Sequence, residues 1–294
     1  MPGADAREVG TEIGQERVID EAKVTLEWAY ADEEFVVISY SVKDLQDDRR
    51  NAGHRVQLDP IFVGKDDVEA GRGPDRRATL TDESGRELGM IDGTFEVAGP
   101  GDGPEVLRMS KSNSAVFEVP EDLEPGRNHR FHLEIPLGEM PTFSSMEEGE
   151  QGVRIEPRPP IGPFIFDFEL PVQPAPTIEM NEKVENNGVE MTLERVVNSP
   201  ARPQAVICIE PPDDVHENLH PLVEPYPADR KPIEPLPLGH GCWSAPLYDR
   251  TEGRSSLTVT SLVVEPDENM SGPEMVQPEL LPGPWKFDFE VPER

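Results

Sequence analysis

One ten-residue segment occurs twice in the sequence. Residues 162–171 are GPFIFDFELP, and residues 283–292, 121 positions later, are GPWKFDFEVP. In both segments large apolar side chains alternate with polar or variable ones, which is the pattern of a β-strand with one buried face. Proline near the start and at the end of each segment limits the strand on both sides. Repetition on this scale predicts two copies of one domain, each of which closes with this strand.

The beginnings of the two copies are also alike. The opening around Arg17 and Val24–Glu27 resembles the opening around Lys183 and Met191–Glu194, at an offset near 167. Because this offset exceeds the offset between the closing strands by 46 residues, the first copy should carry about that much additional chain, which we place between 44 and 115. We therefore predict a flexible leader over residues 1–11, a first domain over 12–173 with an extra hairpin or loop, and a second, shorter domain over 174–294.

Alternation of apolar and polar residues predicts further strands throughout the chain. Residues 22–30 and 36–42 form one predicted hairpin across the turn at 31–34, and residues 80–88 form a second one across a turn with Asp and Gly. The 33 Pro and 24 Gly fit many short strands joined by tight turns, and no window shows helical periodicity. The pattern predicts an all-β fold in which each domain is an antiparallel β-sandwich.

The formal net charge of −32 restricts the partners of this chain. Such a field opposes the release of counterions from phosphate groups, so nucleic acid is excluded as a ligand and docking on anionic lipid is disfavoured. The sequence has no run of 18 apolar residues and no basic, then apolar, N-terminal segment. We therefore expect no direct membrane insertion and no export signal in this sequence.

The two cysteines, Cys208 and Cys242, both belong to the second copy. A bond between them would close a loop of about 35 residues, stabilise the fold by on the order of 3–4 kcal/mol in the chain-entropy model, and indicate an oxidising compartment. The alternative is a pair of reduced thiols that pack as small hydrophobic groups. The pair is a disulfide candidate, and the sequence assigns it neither a catalytic nor a metal-binding role.

The string from His216 to His220 has the H-E-x-x-H pattern of zinc proteases. That chemistry requires a helix, which places both histidines on one face and the glutamate beside them. Pro211–Pro212 and Pro221 oppose a helix here, because proline disfavours helical geometry in the residue before it. We therefore predict a loop and no metal site, with a zinc-dependent hydrolase that uses His216, Glu217 and His220 as the alternative.

The three tryptophans are candidates for a sugar-stacking surface. Trp28 and Trp285 occupy apolar positions of alternating segments, so we predict that both pack inside. Trp243 follows Cys242, so we predict that it packs beside a bridge between the two cysteines. A cell-surface adhesive or carbohydrate-binding module is a further alternative. The sequence contains no nucleophile elbow, phosphate-binding loop or dinucleotide motif, so we predict no catalytic residues and no cofactor.

Several segments together resemble the extracytoplasmic domains of unknown function in anti-sigma-factor-like bacterial membrane proteins. The segments are Glu12–Gln15, Val24–Asp32, Asp82–Gly85, Asn181–Glu182, Gly188–Glu194, Gly241–Trp243 and the two closing strands. The resemblance spans residues 12 to 294 and implies two tandem immunoglobulin-like sandwiches. In that family the domains usually follow a membrane-spanning helix and, in some members, a cytoplasmic segment that holds a sigma factor. Neither segment is in this sequence, so sigma-factor binding is not carried over from the family to this chain.

These observations together predict a non-enzymatic binding or sensing module that works outside the cytoplasm. The resemblance implies the ectodomain of a membrane-anchored regulator of the anti-sigma-factor type, at the cell surface. The expected partner is an unidentified protein or a ligand of the cell envelope.

Overall fold

The structure, a computed structural model, divides the chain into two compact units, Met1–Pro174 and Ala175–Arg294. This division falls one residue from the predicted domain boundary. The structure describes residues 6–20, 22–45, 56–60, 78–94, 111–120, 123–141, 160–210, 218–224, 235–247, 253–265 and 279–291.

The predicted all-β fold is confirmed in the described residues, apart from one helix of four residues there. The described part of the first unit contains α1 (Ala6–Val9), β1 (Thr11–Ile19), β2 (Ala22–Asp32), β3 (Phe35–Asp44), β4 (Val56–Pro60), β5 (Thr79–Thr81), β6 (Glu87–Leu88), β7 (Met90–Thr94), β8 (Lys111–Glu118), β9 (Asn128–Pro141) and β10 (Ile161–Gln173). The described part of the second unit contains β11 (Thr177–Asn186), β12 (Val189–Val197), β13 (Gln204–Glu210), β14 (Asn218–Val223), β15 (Leu236–Gly239), β16 (Cys242–Pro246), β17 (Gly253–Glu265) and β18 (Glu279–Val291).

The two units share most of their strand pairing in the described residues, although the first unit forms one ten-stranded sheet and the second a five-stranded and a three-stranded sheet. Antiparallel pairing gives the order β1-β2-β3-β8-β7 in the first unit and β11-β12-β13-β16-β15 in the second. The other strands pair around β9 and β10 in the first unit and follow the order β14-β17-β18 in the second. One pairing departs from the predicted antiparallel pattern, because Val172 and Gln173 of β10 pair in parallel with Ala31 and Asp32 of β2.

The core of each unit lies between the apolar faces of its sheets. In β10 the inward side chains are buried and the residues between them are exposed, as the alternation predicted. These inward residues are Phe164, Phe166, Phe168 and Leu170 in β10 and Trp285, Phe287 and Phe289 in β18. Burial of one such side chain stabilises the fold by about 1.5–3 kcal/mol, so each closing strand is a main source of stability.

The duplication extends to the irregularities of the backbone. Both hairpins at the beginning of a unit have a β-bulge in the first strand, a residue with positive φ in the turn, and a second bulge in the following strand. The corresponding residues are 167 positions apart: Gly14 and Asn181, Asp20 and Asn187, Glu27 and Glu194. Bulges are designed features of a fold, so their repetition is independent support for the duplication.

The turn predicted at residues 31–34 is held by Asp32. Its Oδ1 accepts hydrogen bonds from the backbone N–H groups of Glu34, at 2.9 Å, and Phe35, at 2.8 Å. Ser199, which lies 167 residues later, accepts bonds with its Oγ from the N–H groups two and three residues further on. A short polar side chain thus ends the second strand in both copies by the same mechanism.

One surface ion pair occurs in both copies with its charges exchanged. Glu16 pairs with Lys23 at 2.7 Å in the first hairpin, and Lys183 pairs with Glu190 in the second. The strand registers place Lys183 at the position of Glu16 and Glu190 at the position of Lys23. Each of the two positions carries the opposite charge in the second copy, but the two residues of a pair still have opposite signs. Like charges at these neighbouring positions would repel each other.

The extra chain of the first copy contains a hairpin. Strand β4 pairs with β9, and strand β14 pairs with β17, and the two pairs have the same register. Because β9 and β17 are the strands that precede the closing strands, β4 and β14 correspond. Strands β5 and β6 have no counterpart among the described residues of the second unit; they form the hairpin predicted at residues 80–88. Its turn is fixed by Asp82, whose carboxylate accepts bonds from Ser84 and Arg86. The hairpin lies within residues 44–115, where the extra chain was predicted.

The predicted alternation in β2 is wrong after Leu26. The bulge at Glu27 inserts one residue into the strand, so the residues beyond it change face. Ala29 and Ala31 therefore line the core, whereas Trp28 is only partly buried on the other face.

The predicted leader over residues 1–11 is also wrong where the structure describes it. Residues 6–9 form α1, with the side chain of Ala6 fully buried, and β1 begins at Thr11. Gly10 lies so close to Trp28 and to the carbonyl of Ala29 that a Cβ there would meet both at 3.1 Å. This segment is ordered because it packs on the partly buried Trp28. Residues 1–5 lie outside the described residues.

Candidate binding cleft in the first unit

Three strands of the first unit carry a row of polar side chains on their outer surface. Arg130 and His132 of β9 lie opposite Glu169 and Asp167 of β10, respectively. The guanidinium of Arg130 is 3.1 Å from Glu169, and Nδ1 of His132 is 2.8 Å from Asp167. Because residues directly opposite each other in an antiparallel pair have their Cβ atoms about 5 Å apart, the register itself creates these pairs.

Along residues 165–167, the edge of β10 that faces away from β9 is held by side chains of β1. The amide Nε2 of Gln15 donates to the carbonyl of Asp167 at 2.9 Å, and Nε of Arg17 donates to the carbonyl of Ile165 at 2.9 Å. Arg17 also lies over the ring of Phe166, with 5.3 Å between the guanidinium carbon and the ring centroid. These contacts fix β1 beside β10 without ladder pairing between the two strands in the described residues.

An open cleft lies where these strands meet. It has a volume of about 420 Å³ and is lined by Gln15, Arg130, Asp167, Phe168 and Glu169. The lining therefore offers an amide, a guanidinium and two carboxylates on three strands, together with one aromatic residue. Such a surface can bind a polar ligand through several hydrogen bonds at once, and the strands keep the donors and acceptors in fixed positions.

His132, beside the cleft, lies between two carboxylates. Its Nδ1 faces Asp167 at 2.8 Å, and its Nε2 faces Glu134 at 3.2 Å. Both ring nitrogens must carry a proton to donate to these oxygens, so the imidazolium is the form that fits. The hydrogen bonds to Asp167 and then to Glu134 raise the pKa of His132 above its ordinary value of 6.5.

We expect His132 to titrate above pH 6.5 in the folded protein. Its folded pKa is raised, so the contribution of the charged ring to stability is complete below pH 6.5 and disappears as the pH rises through the folded pKa. Nuclear magnetic resonance of the imidazole carbons and nitrogens against pH would measure this value, and Asp167→Asn should lower it. A wild-type pKa at or below 6.5, or no decrease of the pKa in the variant, would contradict an imidazolium that is hydrogen-bonded to two carboxylates.

The second unit has only part of this arrangement. Arg254 lies opposite Glu290 at the position of the first unit's Arg130 pair, but Ser256 lies opposite Asp288, where the first unit has His132. The register also places Glu182 at the position of Gln15. The histidine and the amide are thus specific to the first unit, and Arg254 offers a matched control for experiments on Arg130.

The disulfide candidate is bonded in the structure. Cys208 of β13 and Cys242 of β16 are directly opposite in register, with their Cα atoms 4.0 Å apart, and their sulfurs are joined. Both side chains project from the face opposite to Ile207 and Trp243, which are buried in the core. The bond therefore links two neighbouring strands on the outer, partly exposed surface of the sheet.

The described part of the H-E-x-x-H string does not have the helix that a zinc protease requires. Asn218, Leu219 and His220 belong to β14, which pairs with β17, so this part is a strand where the sequence predicted a loop. Alternation within a strand places His220 and Leu219 on opposite faces. His216 and Glu217 lie outside the described residues. The hydrolase alternative loses its geometric basis, since a strand at His220 replaces the helix.

Trp285 is fully buried, as predicted. Trp243 is 7% exposed and packs in the core on the face opposite to the Cys208–Cys242 bond, whereas the sequence predicted that it packs beside that bond. Trp28 is only partly buried, because of the bulge at Glu27. A sugar-stacking platform on Trp243 or Trp285 is therefore ruled out by burial.

None of the helices among the described residues is long and apolar enough to cross a membrane. No protein-family model matches the chain, and no curated protein matches it. A solved structure, a conserved domain protein from Bacillus anthracis, is similar to this chain at 12% sequence identity and a TM-score of 0.48, over 99% of this chain and 94% of its own.

Proposed function

We propose that this chain is a non-enzymatic binding or sensing module that acts outside the cytoplasm, built from two tandem immunoglobulin-like β-sandwiches. The observation that carries the proposal is the cleft beside β10, where Gln15, Arg130, Asp167 and Glu169 present hydrogen-bonding groups from three strands. The resemblance of the sequence to ectodomains of anti-sigma-factor-like membrane proteins extends the proposal to a membrane-anchored regulator.

Two features support an immunoglobulin-like sandwich in each unit. Two groups of antiparallel strands enclose one apolar core, and the strand order repeats from one unit to the other. A core between two sheets leaves polar groups on the outer surfaces, where they are accessible to a partner.

The cysteine pair supports a location outside the cytoplasm. Disulfides persist in oxidising compartments and are rare in the cytosol, where thiols are kept reduced. The net charge of −32 excludes nucleic acid as the partner, which leaves a protein or a polar ligand of the cell envelope.

Peptidoglycan fragments are the probe that we choose to test this function, because their amino sugars and acidic peptides are both polar and extended. In a titration followed by amide resonances, we expect the fragments to shift signals of β1, β9 and β10. Arg130→Glu should weaken the binding at least about tenfold, which corresponds to loss of a charge-assisted hydrogen bond.

Arg254→Glu is the matched control, since Arg254 occupies the corresponding position of the second unit. It should leave the affinity and the shifted signals unchanged. Shifts confined to other strands, or equal effects of the two substitutions, would refute the cleft as the binding site. If the fragments bind nowhere, an envelope glycan of this class is excluded and the partner in the proposal narrows to a protein.

A further inference from the structure

The outer surface around the disulfide contains a third group with metal-binding chemistry. A carboxylate oxygen of Glu194 and the sulfurs of Cys208 and Cys242 all lie within 4.8 Å of one another. They come from three adjacent strands, β12, β13 and β16. This site is separate from the cleft in the first unit and has no part in the proposed function.

The bulge in β12 accounts for the position of Glu194. The register passes from Leu193 directly to Arg195, so Glu194 is the inserted residue and has no partner of its own in β13. Thr192 lies opposite Cys208, and Glu194 follows Thr192 by two positions on the same strand. The carboxylate is thus directed beside the sulfur pair by the backbone.

We propose that reduction of the Cys208–Cys242 bond converts this surface into a zinc site, with two thiolates and the Glu194 carboxylate as ligands. A dithiol reductant supplies the two electrons: its own two thiols become a disulfide, and Cys208 and Cys242 become thiols. Zn²⁺ then binds both sulfurs, their two protons pass to the solvent, and water completes the tetrahedron. While the disulfide is intact, neither sulfur is a thiolate and the site is closed.

The geometry suits zinc better than a hard cation. Tetrahedral zinc holds thiolate sulfurs at about 2.3 Å, so two sulfurs on one ion are roughly 3.8 Å apart. Once the covalent bond is broken, the sulfurs can separate to this spacing across the two strands, with Glu194 already in reach. Thiolates favour zinc over magnesium or calcium, which prefer oxygen ligands alone.

The first unit provides an internal control for this site. Glu27 occupies the equivalent bulge, but Ser41 lies at the position of Cys208 and pairs in register with Ser112. The carboxylate is therefore common to both units, whereas the thiols are specific to the second unit. A zinc site that depends on all three ligands should form in the second unit alone.

The experiment measures zinc uptake by the full chain before and after reduction with a dithiol, which is removed under anaerobic conditions. Competition with a chromogenic chelator gives the affinity, and cobalt in place of zinc gives a thiolate-to-metal absorption band that carboxylates alone do not produce. We expect one additional metal ion per chain after reduction, and about tenfold or greater weakening in Glu194→Gln. Glu27→Gln should behave like the wild type.

Equal metal uptake by the oxidised and reduced chains, or absence of the thiolate band, would overturn the proposal. So would an unchanged affinity in Glu194→Gln. Far-UV circular dichroism shows whether reduction unfolds the second unit. If it does, zinc should restore the β-strand signal, because a ligand that binds the folded state stabilises that state. Failure of zinc to restore that signal would also refute the site.

Discussion

Trp285→Ala is expected to lower the free energy of unfolding of the second unit by about 3–5 kcal/mol. Trp285 is fully buried, and its Nε1 donates a hydrogen bond to the carbonyl of Val189 at 3.1 Å. The substitution creates a large cavity between β12 and β18 and leaves that carbonyl without its donor. Denaturant unfolding followed by far-UV circular dichroism would measure the change. The expected loss is a large share of the free energy of unfolding of a typical domain, which is about 5–15 kcal/mol.

Trp285→Phe is the matched control for this prediction. The first unit has Phe164 at the corresponding position of its closing strand, also fully buried, so this fold accepts phenylalanine there. We expect a loss of about 1–2 kcal/mol, from the smaller ring and the missing hydrogen bond. A loss below about 1 kcal/mol in Trp285→Ala would mean that Trp285 is not central to the core.

The closing strands could be predicted because their information is local. Phe166 and Asp167 are adjacent in sequence and face opposite sides, so an alternating pattern decides both positions at once. The duplicated segment then fixed where each unit ends, without knowledge of any pairing partner.

The bulge at Glu27 could not be predicted in the same way. An inserted residue changes the face of every residue after it, and nothing in the side chains from Leu26 to Tyr30 marks the insertion. The alternation therefore placed Trp28 in the core, whereas the structure places Ala29 there. The repeated bulge at Glu194 was equally hidden, although both residues are glutamate.

The candidate cleft depends on register, which the sequence did not specify. Gln15, Arg130 and Asp167 are far apart in the chain, and each is an ordinary polar residue at an outward strand position. The usable signal was local: Arg130 and His132 alternate along β9, and Asp167 and Glu169, which lie opposite them, alternate along β10. A register could have been proposed from that charge complementarity alone.

The sequence predicted that the two cysteines could pair, but it did not predict on which face of the sheet the bond lies. Alternation along β13 places Cys208 on the face opposite to Ile207 and Ile209, but the sequence does not give the register that brings Cys242 beside it. In the structure Cys242 also lies on the outer face and is directly opposite Cys208 in register.

Replacing both cysteines by serine is expected to lower the free energy of unfolding of the second unit by about 3–4 kcal/mol. The bond joins residues separated by 34 positions, and in the chain-entropy model its removal restores that much conformational freedom to the unfolded chain. Serines should fit the folded sheet, because Ser41 and Ser112 pair at the same position of the first unit. Denaturant unfolding of Cys208→Ser/Cys242→Ser would measure the loss.

The wild-type protein unfolded in the presence of excess reductant and a metal chelator is the control, and it should match the double variant within about 0.5 kcal/mol. Agreement would assign the loss of stability to the covalent bond, because both samples lack the bond and differ in the side chains at these two positions. A double variant as stable as the oxidised wild type would contradict the prediction, because the unfolded chain would then gain nothing from release of the loop. A much larger loss in the variant than in the reduced wild type would instead show that serine packs poorly between β13 and β16.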